Sequence, residues 1–166
     1  MVRQICIIWD TCSLKNIEKE LDDFIIKYRM RVMNYLVISS KKREYKILAK
    51  RLGILARLFK IIRVEDIVRR LNKTYRELIA KVYHLNNIYN SREVVDKDAH
   101  LALGVIKKLY DCCDIVVVTD DDMARYLAFI LMERLSRETS HYMIVCDREE
   151  VISCRCISRF DEQIGG

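Results

Sequence analysis

Proline is absent from this chain of 166 residues, and glycine occurs only four times. That excludes a collagen-like chain, a Pro-rich linker protein and a Gly/Ser-rich disordered chain. It also predicts short loops between long elements. No apolar run reaches the ~18 residues of a membrane-spanning helix, so no membrane association is expected. The opening Met1-Val2-Arg3-Gln4-Ile5-Cys6 has too short an apolar stretch, and no small-residue cleavage site, for a secretory signal. A cytoplasmic location is expected by default. The seven cysteines form no C-x-x-C pair, and the Cys112-Cys113 and Cys154-x-Cys156 spacings suit zinc poorly. Disulfides are unusual in an intracellular protein outside hyperthermophiles, so most of these cysteines are read as small buried hydrophobes.

What is present fits one globular domain over 1–166. About half the chain is apolar (51%), enough for a sizeable core, and 33% is charged. The net charge of +6 is unevenly distributed. From Lys41 to Lys81 there are fourteen basic and four acidic residues, a balance of +10, which leaves sixteen against twenty, or −4, elsewhere. A basic region at about 41–90 beside acidic flanks suggests a polyanion partner held near an acidic cluster.

Hydrophobic periodicity organises the chain. Ile5-Cys6-Ile7-Ile8-Trp9 reads as a buried strand ending at Asp10. Leu14, Ile17, Leu21, Phe24, Ile25 and Tyr28 recur at helical spacing, with Glu18, Glu20, Asp22 and Asp23 mostly between them. Tyr35-Leu36-Val37-Ile38 is a second strand, followed by a helix through Leu52 with Gly53 as its C-terminal cap. The stretch from Ile54 to Val64 fits either helix or strand. Helical spacing returns over 65–85 and 96–110. Asp114-Ile115-Val116-Val117-Val118-Thr119 is the clearest strand, and a helix over 123–135 follows. Tyr142-Met143-Ile144-Val145-Cys146 is another strand, and Val151–Cys156 reads as a last edge strand. Wholly apolar strands separated by helices indicate an α/β fold. We expect a single three-layer domain, with a mainly parallel central sheet of about four or five strands covered by helices on both faces.

In such sheets ligands bind beyond the carboxyl ends of the strands. The residues falling there are acidic: Asp10 after the first strand, Glu44 early in the helix after the second, and Asp120-Asp121-Asp122 after Thr119. Asp96 and Asp98 stand at the start of the helix leading into that last strand. Clustered carboxylates repel each other unless a cation neutralises them. All-oxygen ligands favour Mg²⁺ or Mn²⁺ over zinc. Such a cation activates water for attack on a phosphodiester, and the basic region would hold the polyanion. Each acid alone has a simpler role as a turn residue or helix cap. It is their coincidence with the basic region that points to nuclease chemistry.

The set resembles the PIN-domain family of metal-dependent nucleases, over about residues 4–146. The matching segments are Ile7-Ile8-Trp9-Asp10-Thr11-Cys12, Val37-Ile38-Ser39-Ser40-Lys41-Lys42-Arg43-Glu44, Asp98-Ala99-His100-Leu101-Ala102-Leu103 and Val117-Val118-Thr119-Asp120-Asp121. The Thr-Asp-Asp form is similar to the archaeal branch and its ribosome-maturation nucleases. The resemblance implies a Mg²⁺- or Mn²⁺-dependent endoribonuclease. Asp10, Glu44, Asp98 and Asp121 would be its metal-holding acids, with Asp120 as the alternative to Asp121. Thr11, Ser39 and Thr119 would orient the acids or touch phosphate, and Lys41, Lys42 and Arg43 would bind RNA. It further implies a homodimer, and an antitoxin-like or ribosomal partner protein. The chain departs from compact toxins of the family in its longer basic middle region and in lacking an aromatic after the Asp triplet.

Rival readings fit less well. A haloacid-dehalogenase-type phosphatase needs a second Asp where Cys12 stands. A response-regulator receiver needs a Lys after the last strand, where Asp147-Arg148 occur. The related NYN nucleases carry Ser-Gly-Asp in place of Thr119-Asp120-Asp121. A non-catalytic RNA-binding module, using Lys41, Lys42, Arg43, Arg69 and Arg70, is the alternative from another functional class.

Overall fold

The computed structural model describes residues 4–14, 17–38, 44–63, 113–122, 124–125, 128–129, 133 and 142–165. Among the described residues, five strands form one sheet: β1 (Ile5–Trp9), β2 (Val32–Ile38), β3 (Phe59–Arg63), β4 (Asp114–Val118) and β5 (Met143–Cys146). Their order is β3-β2-β1-β4-β5, and every pairing is parallel. Ile5 is in register with Val32 on one side and Asp114 on the other.

Both faces of the central strands are sealed, as their continuous apolar sequences require. Ile5, Ile7 and Trp9 point to one face and Cys6 and Ile8 to the other by the period of two, and all five are fully buried. The first face carries the main core. There α1 (Glu18–Tyr28) contributes Leu21, Phe24 and Ile25, and α4 (Arg155–Gly165) contributes Cys156, Ile157 and Phe160. Between β5 and α4 lies the short α3 (Arg148–Ile152), which inserts Val151 into the same core and packs against α1. This is the α/β fold expected from the strand composition. Among the described residues, no helix is long and apolar enough to cross a membrane.

The ambiguous stretch after the second helix divides cleanly. α2 (Glu44–Leu52) ends at Gly53, whose φ of 57° is the left-handed conformation that glycine adopts without strain. No neighbouring atom lies where a Cβ would sit, so the backbone angle is what favours glycine there. A 3-10 turn spans Gly53–Leu58, and the Phe59–Arg63 segment is a strand, edge-paired to β2. The helical patterns at 65–85 and 96–110 lie outside the described residues.

Two expectations are corrected. Val151–Cys156 is not an edge strand: it contains the end of α3, a turn, and the start of α4. The cause is local. Asp147 accepts the N–H of Glu150 at 2.7 Å, while the Glu150 carboxylate accepts the N–H of Asp147 at 3.4 Å, a capping box that starts a helix. Cys154 then turns the chain with φ 61°. Cysteine pairing is the second correction. Cys6 of β1 is bonded to Cys113 just ahead of β4, and Cys146 of β5 to Cys156 of α4, with Cα atoms 6.2 and 6.0 Å apart. These four cysteines are buried, as expected, but as cross-links rather than as free thiols.

Trp9 anchors the end of β1 in the core. Its ring is fully buried and meets Phe24 and Phe59 edge-on, with centroids 6.1 and 6.2 Å away. Its indole N–H donates to Asn34 Oδ1 at 2.9 Å, which satisfies a buried amide on the neighbouring strand. Trp9 is therefore a core residue, as its place on an apolar strand suggests.

Candidate functional site

The strand order reverses between β1 and β4: β2 and β3 lie on one side of β1, β4 and β5 on the other. A crevice at the carboxyl ends of the two strands at this reversal is where open α/β sheets bind ligands. Trp9 and Val118 are in register, so the next residues, Asp10 and Thr119, emerge side by side. Asp10 N–H donates to Val118 carbonyl at 3.0 Å, and Thr119 N–H donates to Cys146 carbonyl at 3.1 Å. The ends of β1, β4 and β5 are thus laced together.

Side chains complete the arrangement. The Thr119 hydroxyl donates to Asp10 Oδ2 at 3.0 Å and accepts the N–H of Asp121 at 3.1 Å. One hydroxyl therefore sets the positions of both acids. Ser13, in the 3-10 turn Thr11–Leu14, donates its hydroxyl to the Asp10 carbonyl at 2.6 Å and is itself fully buried. Asp121 caps the helical segment that follows, its Oδ1 accepting the N–H of Ala124 at 3.1 Å. A carboxylate at that place also complements the helix dipole.

Asp120 is engaged elsewhere. Its Oδ1 accepts the backbone N–H of Arg148 at 3.2 Å, and its Oδ2 lies 3.6 Å from Arg148 Nε. Arg125 reaches back to the same edge. Its guanidinium donates to Thr119 carbonyl at 3.3 Å and lies 4.0 Å from the Asp147 carboxylate.

Of the residues singled out from sequence, Asp10, Thr11, Thr119, Asp120 and Asp121 meet at this edge. Thr119 is fully buried, so its hydroxyl orients the acids and has no surface from which to meet an RNA phosphate. Thr11 is also buried. Glu44 is the first residue of α2. Ser39, Lys41, Lys42, Arg43 and Asp98 lie outside the described residues. Ser13, Arg125 and Arg148 escaped the sequence reading. Arg148 had a readable signal, since it stands two residues past a strand end, as Asp120 does.

The donors at this edge are oxygens: the carboxylates of Asp10 and Asp121, a hydroxyl and backbone carbonyls, with the Asp120 carboxylate turned to Arg148. Hard donors of this kind suit Mg²⁺ or Mn²⁺ better than zinc, which prefers sites with nitrogen or sulfur ligands. Among the described residues, no three His, Cys, Asp or Glu side chains come together as a metal-holding group. Asp98, which the resemblance implies as a further acid, lies outside the described residues.

No family model matches the chain, and no curated protein matches it. Among solved structures, a de novo designed protein with a P-loop NTPase fold, determined by solution NMR, is similar at 14% identity. That likeness covers 99% of this chain and 94% of the design, with a TM-score of 0.43. The chain itself has no G-x-x-x-x-G-K-[ST] phosphate loop, its four glycines being Gly53, Gly104, Gly165 and Gly166.

Proposed function

We propose that this protein is a Mg²⁺- or Mn²⁺-dependent endoribonuclease of the PIN type. The observation that carries the reading is the Asp10–Thr119–Asp121 constellation, which stands at the strand reversal where an α/β sheet binds its ligand. Asp10 and Asp121 would hold the cation, with Asp98 and Glu44 as the further acids that the resemblance implies. When bound, the cation would supply Lewis-acid activation of water and neutralise charge on the phosphodiester. The chain's own part is positional. Ser13 and Trp9 fix the backbone at Asp10, and Thr119 holds one carboxylate oxygen of Asp10. Together the two carboxylates would supply the negative field that draws a cation to the edge. The basic residues of 41–90 would hold the RNA, and a homodimer and an antitoxin-like or ribosomal partner belong to the same reading.

A single-stranded RNA incubated with purified protein should be cut in Mn²⁺ or Mg²⁺ and left whole in EDTA. Outer-shell partners of a metal typically contribute 10- to 100-fold in affinity or activity, so Asp10→Asn and Asp98→Asn should each lower the rate by more than ~100-fold. Unchanged cleavage by both variants would sink the reading. A non-catalytic RNA-binding module is the second reading, favoured by the use of Asp120 as a partner of Arg148. Metal-independent binding with no cleavage would select it.

A further inference from the structure

We propose that Arg148 contacts a backbone phosphate of the bound RNA, with Asp120 as the anion that holds its guanidinium until the strand arrives. This rests on the RNA reading above and adds a position to it. Val118 and Cys146 are in register on β4 and β5. Asp120 and Arg148 each lie two residues beyond that pair, so the parallel sheet itself brings them together at the carboxyl edge. Arg148 stands two strands from Asp10 along this edge, about 10 Å at the usual strand spacing.

The backbone of Arg148 is fixed while its head group stays at the surface. The capping box of Asp147 and Glu150 sets the start of α3, and the Cys146–Cys156 disulfide closes the short loop that contains it. The side chains of Arg148 and Asp120 are 38% and 36% exposed. An ion pair at such exposure is weak, being screened by solvent. A phosphate can replace it, because the planar guanidinium fork matches two phosphate oxygens at once.

The electrostatics of the edge call for such a contact. An RNA backbone drawn to Asp10 and Asp121 meets negative charge there. Arg63 ends β3, which lies on the other side of β1 from β5. Arg148 supplies the opposite bank, so the RNA would cross the sheet edge from β3 to β5 over the acids.

The test uses the full chain, a fluorescein-labelled single-stranded oligoribonucleotide and EDTA, so that no cleavage occurs. Polarisation titrations over a range of salt concentrations give affinity and salt slope. Arg148→Gln should weaken binding about 3- to 10-fold and reduce the salt slope by about 0.7, the value for one single-strand phosphate contact. Asp120→Asn, which removes the charge paired with the guanidinium, should tighten binding. In the Arg148→Gln background that gain should vanish. Asp122→Asn, which removes the same charge nearby, serves as the control for general repulsion. The proposal falls if Arg148→Gln binds with wild-type affinity and slope. It falls equally if Asp120→Asn and Asp122→Asn tighten binding alike in both backgrounds. A wild-type chain that cuts RNA in Mn²⁺ alongside an unchanged Arg148→Gln titration removes this proposal alone. A folded wild-type chain that binds no RNA removes it together with the RNA reading.

Discussion

Thr119 Oγ1 stands 3.0 Å from Asp10 Oδ2 and 3.1 Å from the backbone nitrogen of Asp121, so a single buried hydroxyl is the joint between two acids 111 positions apart in the chain. Donating to one and accepting from the other uses both of its capacities. No other side chain of that size does both at so small a volume except serine.

Thr119→Val and Thr119→Ser therefore separate shape from hydrogen bonding. Valine keeps the volume but removes a buried donor from Asp10 and an acceptor from Asp121 N–H, at a cost of about 1–3 kcal/mol. Urea midpoints should fall for valine and change little for serine. If the nuclease reading holds, RNA cleavage should fall with valine and recover with serine.

Trp9 and Asn34 give a second test, aimed at the anchoring of the end of β1. Trp9→Phe removes the donor to a buried amide oxygen and should destabilise by about 1–3 kcal/mol. Trp9→Phe combined with Asn34→Leu removes both partners and should recover much of that loss. Because Trp9 is the sole tryptophan, wild-type fluorescence reports directly on this strand end during unfolding.

The disulfides predict a mass and a stability. Alkylation without reductant should leave Cys6, Cys113, Cys146 and Cys156 unmodified until the chain is unfolded and reduced. On the chain-entropy account, a loop of about 100 residues is worth about 4.7 kcal/mol and one of about ten residues somewhat under 3. The sequence separations here are 107 and 10. Cys6→Ala/Cys113→Ala should thus lower the denaturant midpoint more than Cys146→Ala/Cys156→Ala.

A pH dependence follows from the ion pair between Arg31 and Asp161, which ties the turn after α1 to α4. The hydrogen bond from Arg31 holds the Asp161 carboxyl below its ordinary range. A depressed folded-state value contributes stability above the unfolded value, and that stability is lost as pH falls through the folded one. Wild type should therefore exceed Asp161→Asn in melting temperature at pH 7. The gap is at most ~1 kcal/mol, because the pair is exposed and screened. It should close as the pH drops below about 4.

Much of the architecture was legible in the residues. Ile5–Trp9 and Asp114–Val118 are apolar at every position or nearly so, which a chain can bury only in the middle of a covered parallel sheet. Because such strands end at a common edge, their sequences alone put Asp10 and the Thr119–Asp121 run at the same edge of the sheet. Val151–Cys156 misled because a short β-branched and cysteine-rich run has no period of its own. The capping box formed by Asp147 and Glu150, immediately before it, decided its state.

The order of strands was not legible, and much else depended on it. Local patterning determined which segments are strands, where α2 stops at Gly53, and that acids would cap the strand ends. Only the tertiary structure decided that β1 lies between β2 and β4, and therefore that Asp10 meets Thr119. It also decided that Cys6 meets Cys113 and that Asp120 meets Arg148 instead of Asp10. The physical reason is range. Helix periods, caps and glycine turns are settled by neighbours a few residues away. A hydrogen bond, disulfide or ion pair between distant residues exists only once the register of the sheet has set their separation.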